Sequence, residues 1–265
     1  MKKLPRLLSL LPLGALALAA LLPSGRAQTP APAATPAPAP AAPPAKVDAS
    51  APLAKKDTGA FLAKHESFLA RAKAGPIGLL FLGDSITEGW AKAPHIFEHY
   101  YGKFQPANFG IGGDTTQNVL WRIEHGELDG LAPKVLVLML GTNNSGSHTA
   151  AEIAAADRKI IALIRAKLPA TKILLLAIFP RGERKNRDGT IDTGVEKTAV
   201  INAVNADLAR LDDGATIRYL DLTAKFLGDD GKLHLNIMPD RLHPNAAGYQ
   251  LWAESMQKLL AEMMK

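Results

Sequence analysis

The run Phe81-Leu82-Gly83-Asp84-Ser85-Ile86-Thr87-Glu88-Gly89-Trp90 changes character at its third residue. Upstream, residues 77–82 form an almost unbroken apolar stretch. A strand that is apolar throughout, rather than alternating, fits a parallel sheet covered by helices on both faces. At Gly83-Asp84-Ser85 the chain turns polar, then resumes with helix-compatible residues. A serine released beside a glycine at the end of a buried strand is well placed to act as a nucleophile.

The same pattern repeats outward from this point. Upstream, Phe61, His65, Phe68, Leu69 and Ala72 recur at helical spacing, and Gly75-Pro76 ends that helix. Downstream, a helix is expected over 93–101 and a short strand over 105–109, running into Gly110-Ile111-Gly112-Gly113-Asp114. A short helix should follow over 117–125. Residues 135–140 form another continuous apolar strand, ending at Gly141-Thr142-Asn143-Asn144. Thr149 and Glu152 have capping-box spacing for a helix to Lys167, with Ile153, Ala156, Ile160, Leu163 and Ile164 facing inward. Strands are expected over 173–178 and 217–222, separated by a polar loop over 180–193 and a helix that Thr193 and Glu196 would cap. The last helix puts Tyr249, Trp252, Met256 and Leu260 on one face.

Strands thus alternate with helices, which predicts an α/β fold: a three-layer, doubly wound parallel sheet of five strands. Open sheets of this kind bind ligands beyond the carboxyl ends of their strands. Ser85, Gly113 and Asn143 each follow a different expected strand, so three polar loops converge on one edge.

The chain ends bound the setting. Of 265 residues, the first 27 have the parts of a secretory signal. Lys2, Lys3 and Arg6 are followed by an apolar stretch over 7–22 and the small-x-small site Gly25-Arg26-Ala27. Pro12 and Gly14 interrupt the apolar stretch, which is also shorter than the roughly 20 residues of a spanning helix. No integral span is expected after cleavage. Residues 28–56, rich in Ala and Pro, read as a disordered tether, and residues 57–265 as the catalytic domain. The net charge of +6 includes Lys2, Lys3, Arg6 and Arg26, so the remainder sits near +2. No basic cluster interleaved with aromatics points to nucleic acid. The absence of cysteine fits an exported protein, periplasmic or extracellular, that needs no disulfide.

A serine hydrolase needs a nucleophile, a base, an orienter and donors for the developing oxyanion. Ser85 is the candidate nucleophile. Asp240 and His243 are three residues apart, ahead of Pro244, so one turn of chain can present a carboxylate to one imidazole nitrogen and leave the other free. The backbone N–H groups of Ser85 and Gly113 and the side-chain amide of Asn143 are the candidate oxyanion donors. Each element has an ordinary reading alone: a turn or cap for Gly-Asp-Ser, a tight turn for Gly-Ile-Gly-Gly, metal ligation or chance for Asp-x-x-His. His234 is a rival base without a carboxylate at that spacing. A two-metal phosphoesterase using Asp84, Asp114, Asn143 and His243 lacks an early Asp-x-His and a late Gly-His-x-His. A non-catalytic binding module would require a damaged triad.

The joint pattern resembles the SGNH, or GDSL-type, hydrolase family at four blocks. These are Gly83-Asp84-Ser85, Gly113, Gly141-Thr142-Asn143, and Asp240-Arg241-Leu242-His243-Pro244. Within it, Asn108-Phe109-Gly110-Ile111-Gly112-Gly113-Asp114-Thr115-Thr116, Val119-Leu120-Trp121-Arg122 and Pro180-Arg181-Gly182-Glu183 are similar to the catalytic subunits of platelet-activating-factor acetylhydrolase Ib. The resemblance implies a flavodoxin-like sheet and ester hydrolysis without a metal or other cofactor. It carries Ser85, Asp240 and His243 over as the triad and Ser85, Gly113 and Asn143 as the oxyanion hole. It also places Ile86 and Leu242 against the acyl group; both are bulky, which predicts a short acyl group such as acetyl. The expected partner is a small-molecule or polysaccharide ester, with a carbohydrate O-acetylesterase and a lipid acylhydrolase as the two readings of the alcohol side. The loop after Glu183 reads as longer and more charged than in those animal enzymes.

Overall fold

The computed structural model describes residues 46–56, 58–185 and 188–265; the expected signal and residues 28–45 of the expected tether lie outside them. Five parallel strands form the sheet: β1 (Leu79–Gly83), β2 (Pro106–Gly110), β3 (Val135–Met139), β4 (Lys172–Leu176) and β7 (Ile217–Leu220). Their order is β2-β1-β3-β4-β7. The chain moves from β1 outward to β2, then crosses back to place β3 on the other side of β1. The reversal makes a crevice at the carboxyl ends of β1 and β3, where this architecture binds ligands.

Alternation along each strand feeds two apolar layers. Leu80 and Leu82 of β1 and Leu136 and Leu138 of β3 share a cluster with Phe61, Val119, Ile160 and Val204. These come from α1 (Thr58–Lys73), α4 (Thr116–Glu124), α5 (Ala150–Lys167) and α6 (Val195–Leu208). Leu79 and Phe81, with Val135 and Val137, point the other way, into a cluster with Tyr101, Trp252 and Met256. That face is covered by α3 (Pro94–Tyr101) and α7 (Ala246–Met263). All five residues of β1 and of β3 are buried, as their continuous apolarity requires.

The Thr149–Glu152 capping box forms, with Thr149 N–H donating to Glu152 Oε2 at 2.7 Å and Glu152 N–H returning to Thr149 Oγ1 at 3.3 Å. The second expected box does not. Helix α6 starts at Val195 after Gly194, whose φ of 73° is left-handed and whose N–H is taken by Asp192 Oδ1 at 3.0 Å. That turn carries the entry past Thr193. The polar loop before it contains a small antiparallel pair, β5 (Arg184–Lys185) with β6 (Ile191–Asp192).

The folded unit also begins earlier than its composition suggests. Residues 46–56, read from sequence as tether, lie along the body as a strap. Ala49 is fully buried, its carbonyl accepting from Thr116 Oγ1 at 2.8 Å. Leu53 N–H donates to Gln117 O at 3.0 Å, and its carbonyl accepts from Asn118 Nδ2 at 2.8 Å. These bonds are specific to the start of α4, so no apolar periodicity in the strap advertises them.

Candidate active site

Strand β1 ends where Gly83 is forced to be glycine: a Cβ there would sit 2.2 Å from Thr87 Oγ1 and 2.5 Å from Met139 O. The next residue, Asp84, caps the four-residue helix α2 (Ser85–Glu88), its Oδ1 accepting from Ile86 N–H at 2.9 Å. Ser85 therefore stands at the first position of a helical turn, where its own N–H has no partner within the helix. This is an open helix start rather than a strained elbow.

His243 reaches Ser85 from the far end of the chain. Its Nε2 lies 2.9 Å from Ser85 Oγ, and its Nδ1 lies 2.6 Å from Asp240 Oδ2. Asp240 Oδ1 also accepts the N–H groups of Leu242 at 3.0 Å and His243 at 2.7 Å, so one carboxylate folds the turn and orients the ring. Burial pushes the Asp240 carboxyl up, but the bonds from His243 outweigh it and hold the group below its ordinary range. The turn requires Arg241 to adopt a left-handed φ of 60°, and Gly182 N–H stabilises it by donating to Arg241 O at 2.9 Å. His234, the rival base, is exposed and makes no part of this hydrogen-bond chain.

The candidate oxyanion donors come from the loops after β2 and β3. Asn143 is half-buried and donates through Nδ2 to Asp114 O at 2.8 Å, which ties its amide to the Gly112-Gly113-Asp114 loop. Gly113 has a φ of 74°, a conformation that favours glycine. Beneath this loop is a buried ion network that sequence reading missed. Arg122 is fully buried and pairs with Asp114 Oδ2 at 2.9 Å and with Glu127. It also donates to Phe109 O at 3.0 Å and Gly83 O at 3.3 Å, joining the ends of β1 and β2 to the loop. Asp84 is thus a helix cap, and Asp114 is paired with Arg122 and with Lys55 Nζ at 2.7 Å. A two-metal site would need both as ligands.

Ile86 and Leu242 are not exposed as an acyl wall. They are 1% and 5% exposed and belong to the buried cluster that holds Trp90, Met238 and Tyr249, and the Tyr249 hydroxyl donates to Ile86 O at 2.7 Å. Both side chains are packed into that core. A groove of about 470 Å³ runs beside the site, lined by Arg181, Asn202, Thr223, Leu233 and Arg241 among others. Arg241, next to Asp240, links that groove to the turn that carries His243.

Burial raises the Asp84 carboxyl to about 7, with Asp114 adding to the shift and the Ile86 N–H and Lys55 opposing it. Between about pH 4 and about pH 7 the folded chain then holds a proton at Asp84 that the unfolded chain has lost. Folding stability from this group is fullest below about pH 4 and declines as pH rises to about 7. Asp84→Asn keeps an oxygen for Ile86 N–H and removes the titration. Wild type should lose up to about 4 kcal/mol relative to this variant between pH 4 and 8, measured by urea unfolding. A difference that does not change with pH would mean that Asp84 is already ionised at low pH.

Comparison with known proteins matches residues 81–251 to the model of the GDSL-like Lipase/Acylhydrolase family. The chain is 32% identical over 206 residues to platelet-activating factor acetylhydrolase IB subunit alpha2 of Rattus norvegicus, covering 77% of this chain and 85% of the relative. It is likewise 32% identical over 207 residues to subunit alpha1 of the Homo sapiens protein, covering 78% and 85%. Among solved structures, a GDSL-like lipase from Bacteroides thetaiotaomicron aligns with a TM-score of 0.61 at 18% identity, over 76% of this chain and 98% of that one.

Proposed function

Because the chain belongs to the GDSL-like lipase/acylhydrolase family, a family of carboxylic ester hydrolases, we propose that it is an exported serine esterase that removes short acyl groups, acetyl foremost, from an alcohol. The observation that carries this is the continuous hydrogen-bond chain from Ser85 Oγ through His243 to Asp240. Ser85 Oγ attacks the carbonyl carbon and passes its proton to His243 Nε2. The carbonyl oxygen becomes an oxyanion facing Ser85 N–H, Gly113 N–H and Asn143 Nδ2. Its collapse breaks the ester bond, and the alcohol leaves with the proton from Nε2. Water then attacks the acyl-serine, gives its proton to Nε2, and the second collapse releases the acid and restores Ser85 Oγ–H.

The acetylhydrolase relatives support the short acyl group. The hydrogen-bonding side chains Asn202 and Thr223 in the adjoining groove support a hydroxylated alcohol, such as an acetylated carbohydrate. The acetylhydrolase relatives favour a second reading in which the alcohol is a lipid. Export is supported by the charged start, apolar stretch and small-x-small site of residues 1–27.

A p-nitrophenyl ester series, with acetate release from acetylated xylan and from lipid acetates in parallel, tests the reading. kcat/KM should fall at least about tenfold from acetyl to octanoyl, since each misfit methylene in a closed pocket is worth about 1–3 kcal/mol. A preference for octanoyl would overturn the acyl assignment, and release from lipid but not xylan would select the second reading.

A further inference from the structure

The turn that carries Gly113 contains one peptide unit with unusual freedom. Asp114 N–H donates to Ile111 O at 3.1 Å, closing a β-turn whose two central residues are Gly112 and Gly113. The φ of 74° at Gly113 is that of a type II turn. Types I and II differ by a rotation of the central peptide. With glycine on both sides, no Cβ opposes that rotation. A trans peptide places its C=O and N–H on opposite sides, so whatever fixes Gly112 O also fixes where Gly113 N–H points. Among the described residues Gly113 N–H has no protein acceptor, as an oxyanion donor requires.

Among the described residues, one side chain fixes Gly112 O. Lys55, near the end of the strap, donates from Nζ to Gly112 O at 2.5 Å and pairs with Asp114 Oδ1 at 2.7 Å. Its side chain is only 21% exposed, and Nζ lies 5.5 Å from the centre of the Phe61 ring. Asp114 is anchored from its other oxygen by the buried Arg122 at 2.9 Å, so Lys55 bridges a fixed carboxylate and the mobile carbonyl. The strap is seated independently of Lys55, through Ala49 and Leu53 on α4 and through Lys46 on Glu152.

We infer that Lys55 is a positioning residue for ester hydrolysis: it locks the Gly112–Gly113 peptide so that Gly113 N–H faces the developing oxyanion. Its ammonium also draws electron density towards Gly112 O and so polarises the same N–H. This rests on the reading of Gly113 as an oxyanion donor. It assigns a catalytic consequence to a segment that precedes the first helix.

The test uses the full chain with p-nitrophenyl acetate and a fluorophosphonate probe. Losing an oxyanion donor outright costs about 10²–10³ in kcat. Lys55→Met leaves the donor present but free to turn, and should lower kcat about 10- to 30-fold with KM changed less than about twofold. Lys55→Arg, which keeps a cation able to bridge Gly112 O and Asp114, should recover most of the loss. Lys46→Met, which removes the strap's other ion pair, should leave kcat unchanged. A thermal melt on each variant separates strap seating from catalysis. Lys55→Met with wild-type kcat would overturn the lock, as would an equal loss in Lys46→Met. Absence of probe labelling in the wild type would instead overturn the serine mechanism on which the inference rests.

Discussion

Replacing Ser85 by alanine should abolish labelling by a fluorophosphonate probe and lower kcat for p-nitrophenyl acetate by about 10⁶-fold, the order seen when a serine nucleophile is removed. The variant should keep its fold. Ser85 is half-buried, its one side-chain hydrogen-bond partner among the described residues is His243, and the cap on α2 comes from Asp84 rather than from the serine. Alanine at this helical position is also favourable. Wild-type and variant melting temperatures should therefore agree within a few degrees, so the loss reads out chemistry. A residual rate above uncatalysed hydrolysis is expected from the remaining oxyanion donors. Hydrolysis within tenfold of wild type would place the nucleophile elsewhere.

The parts of this site differ in how far the sequence could reveal them, for physical reasons. β1 and β3 were readable because strands buried on both faces must be apolar at every position, which leaves a run bounded by polar turns. Their ends located Ser85 and Asn143 directly. Asp240 and His243 were readable because the contact that joins them is local; the contact from His243 to Ser85, 158 residues away, rested on the family resemblance and not on spacing. Ile86 and Leu242 flank catalytic positions, but flanking fixes only where the backbone runs. Tertiary packing turned both side chains into the core below the site. The strap was hidden by composition. Its Ala and Pro content continues that of the preceding tract, while its attachment depends on backbone groups and two lysines, which have no sequence period. Thr193 shows the opposite error: a capping-box spacing was present, but Asp192 and the left-handed Gly194 set a different helix entry.

Asp240→Asn should lower kcat by about 10⁴-fold while leaving the fold intact. In the wild type the two carboxylate oxygens do different things. Oδ1 takes the Leu242 and His243 N–H groups, and Oδ2 takes the imidazole Nδ1–H. An asparagine can keep its single oxygen on the two backbone donors, which preserves the turn and Arg241's left-handed conformation. Its amide nitrogen then faces Nδ1 as a donor. To accept that bond, the ring must carry its proton on Nε2, the nitrogen that has to receive the proton of Ser85. The variant should bind the probe and react slowly, with KM little changed and a melting temperature near that of wild type. Arg184 sharpens the outcome, since its Nη2 lies 3.2 Å from the same Oδ2 and would face an amide instead of a carboxylate. Removing that repulsion with Arg184→Met in the Asp240→Asn background should leave the rate low if the fault is the tautomer. Recovery to within about tenfold of wild type would show that the loss came from Arg184 facing the amide, and that His243 finds its working tautomer without the carboxylate.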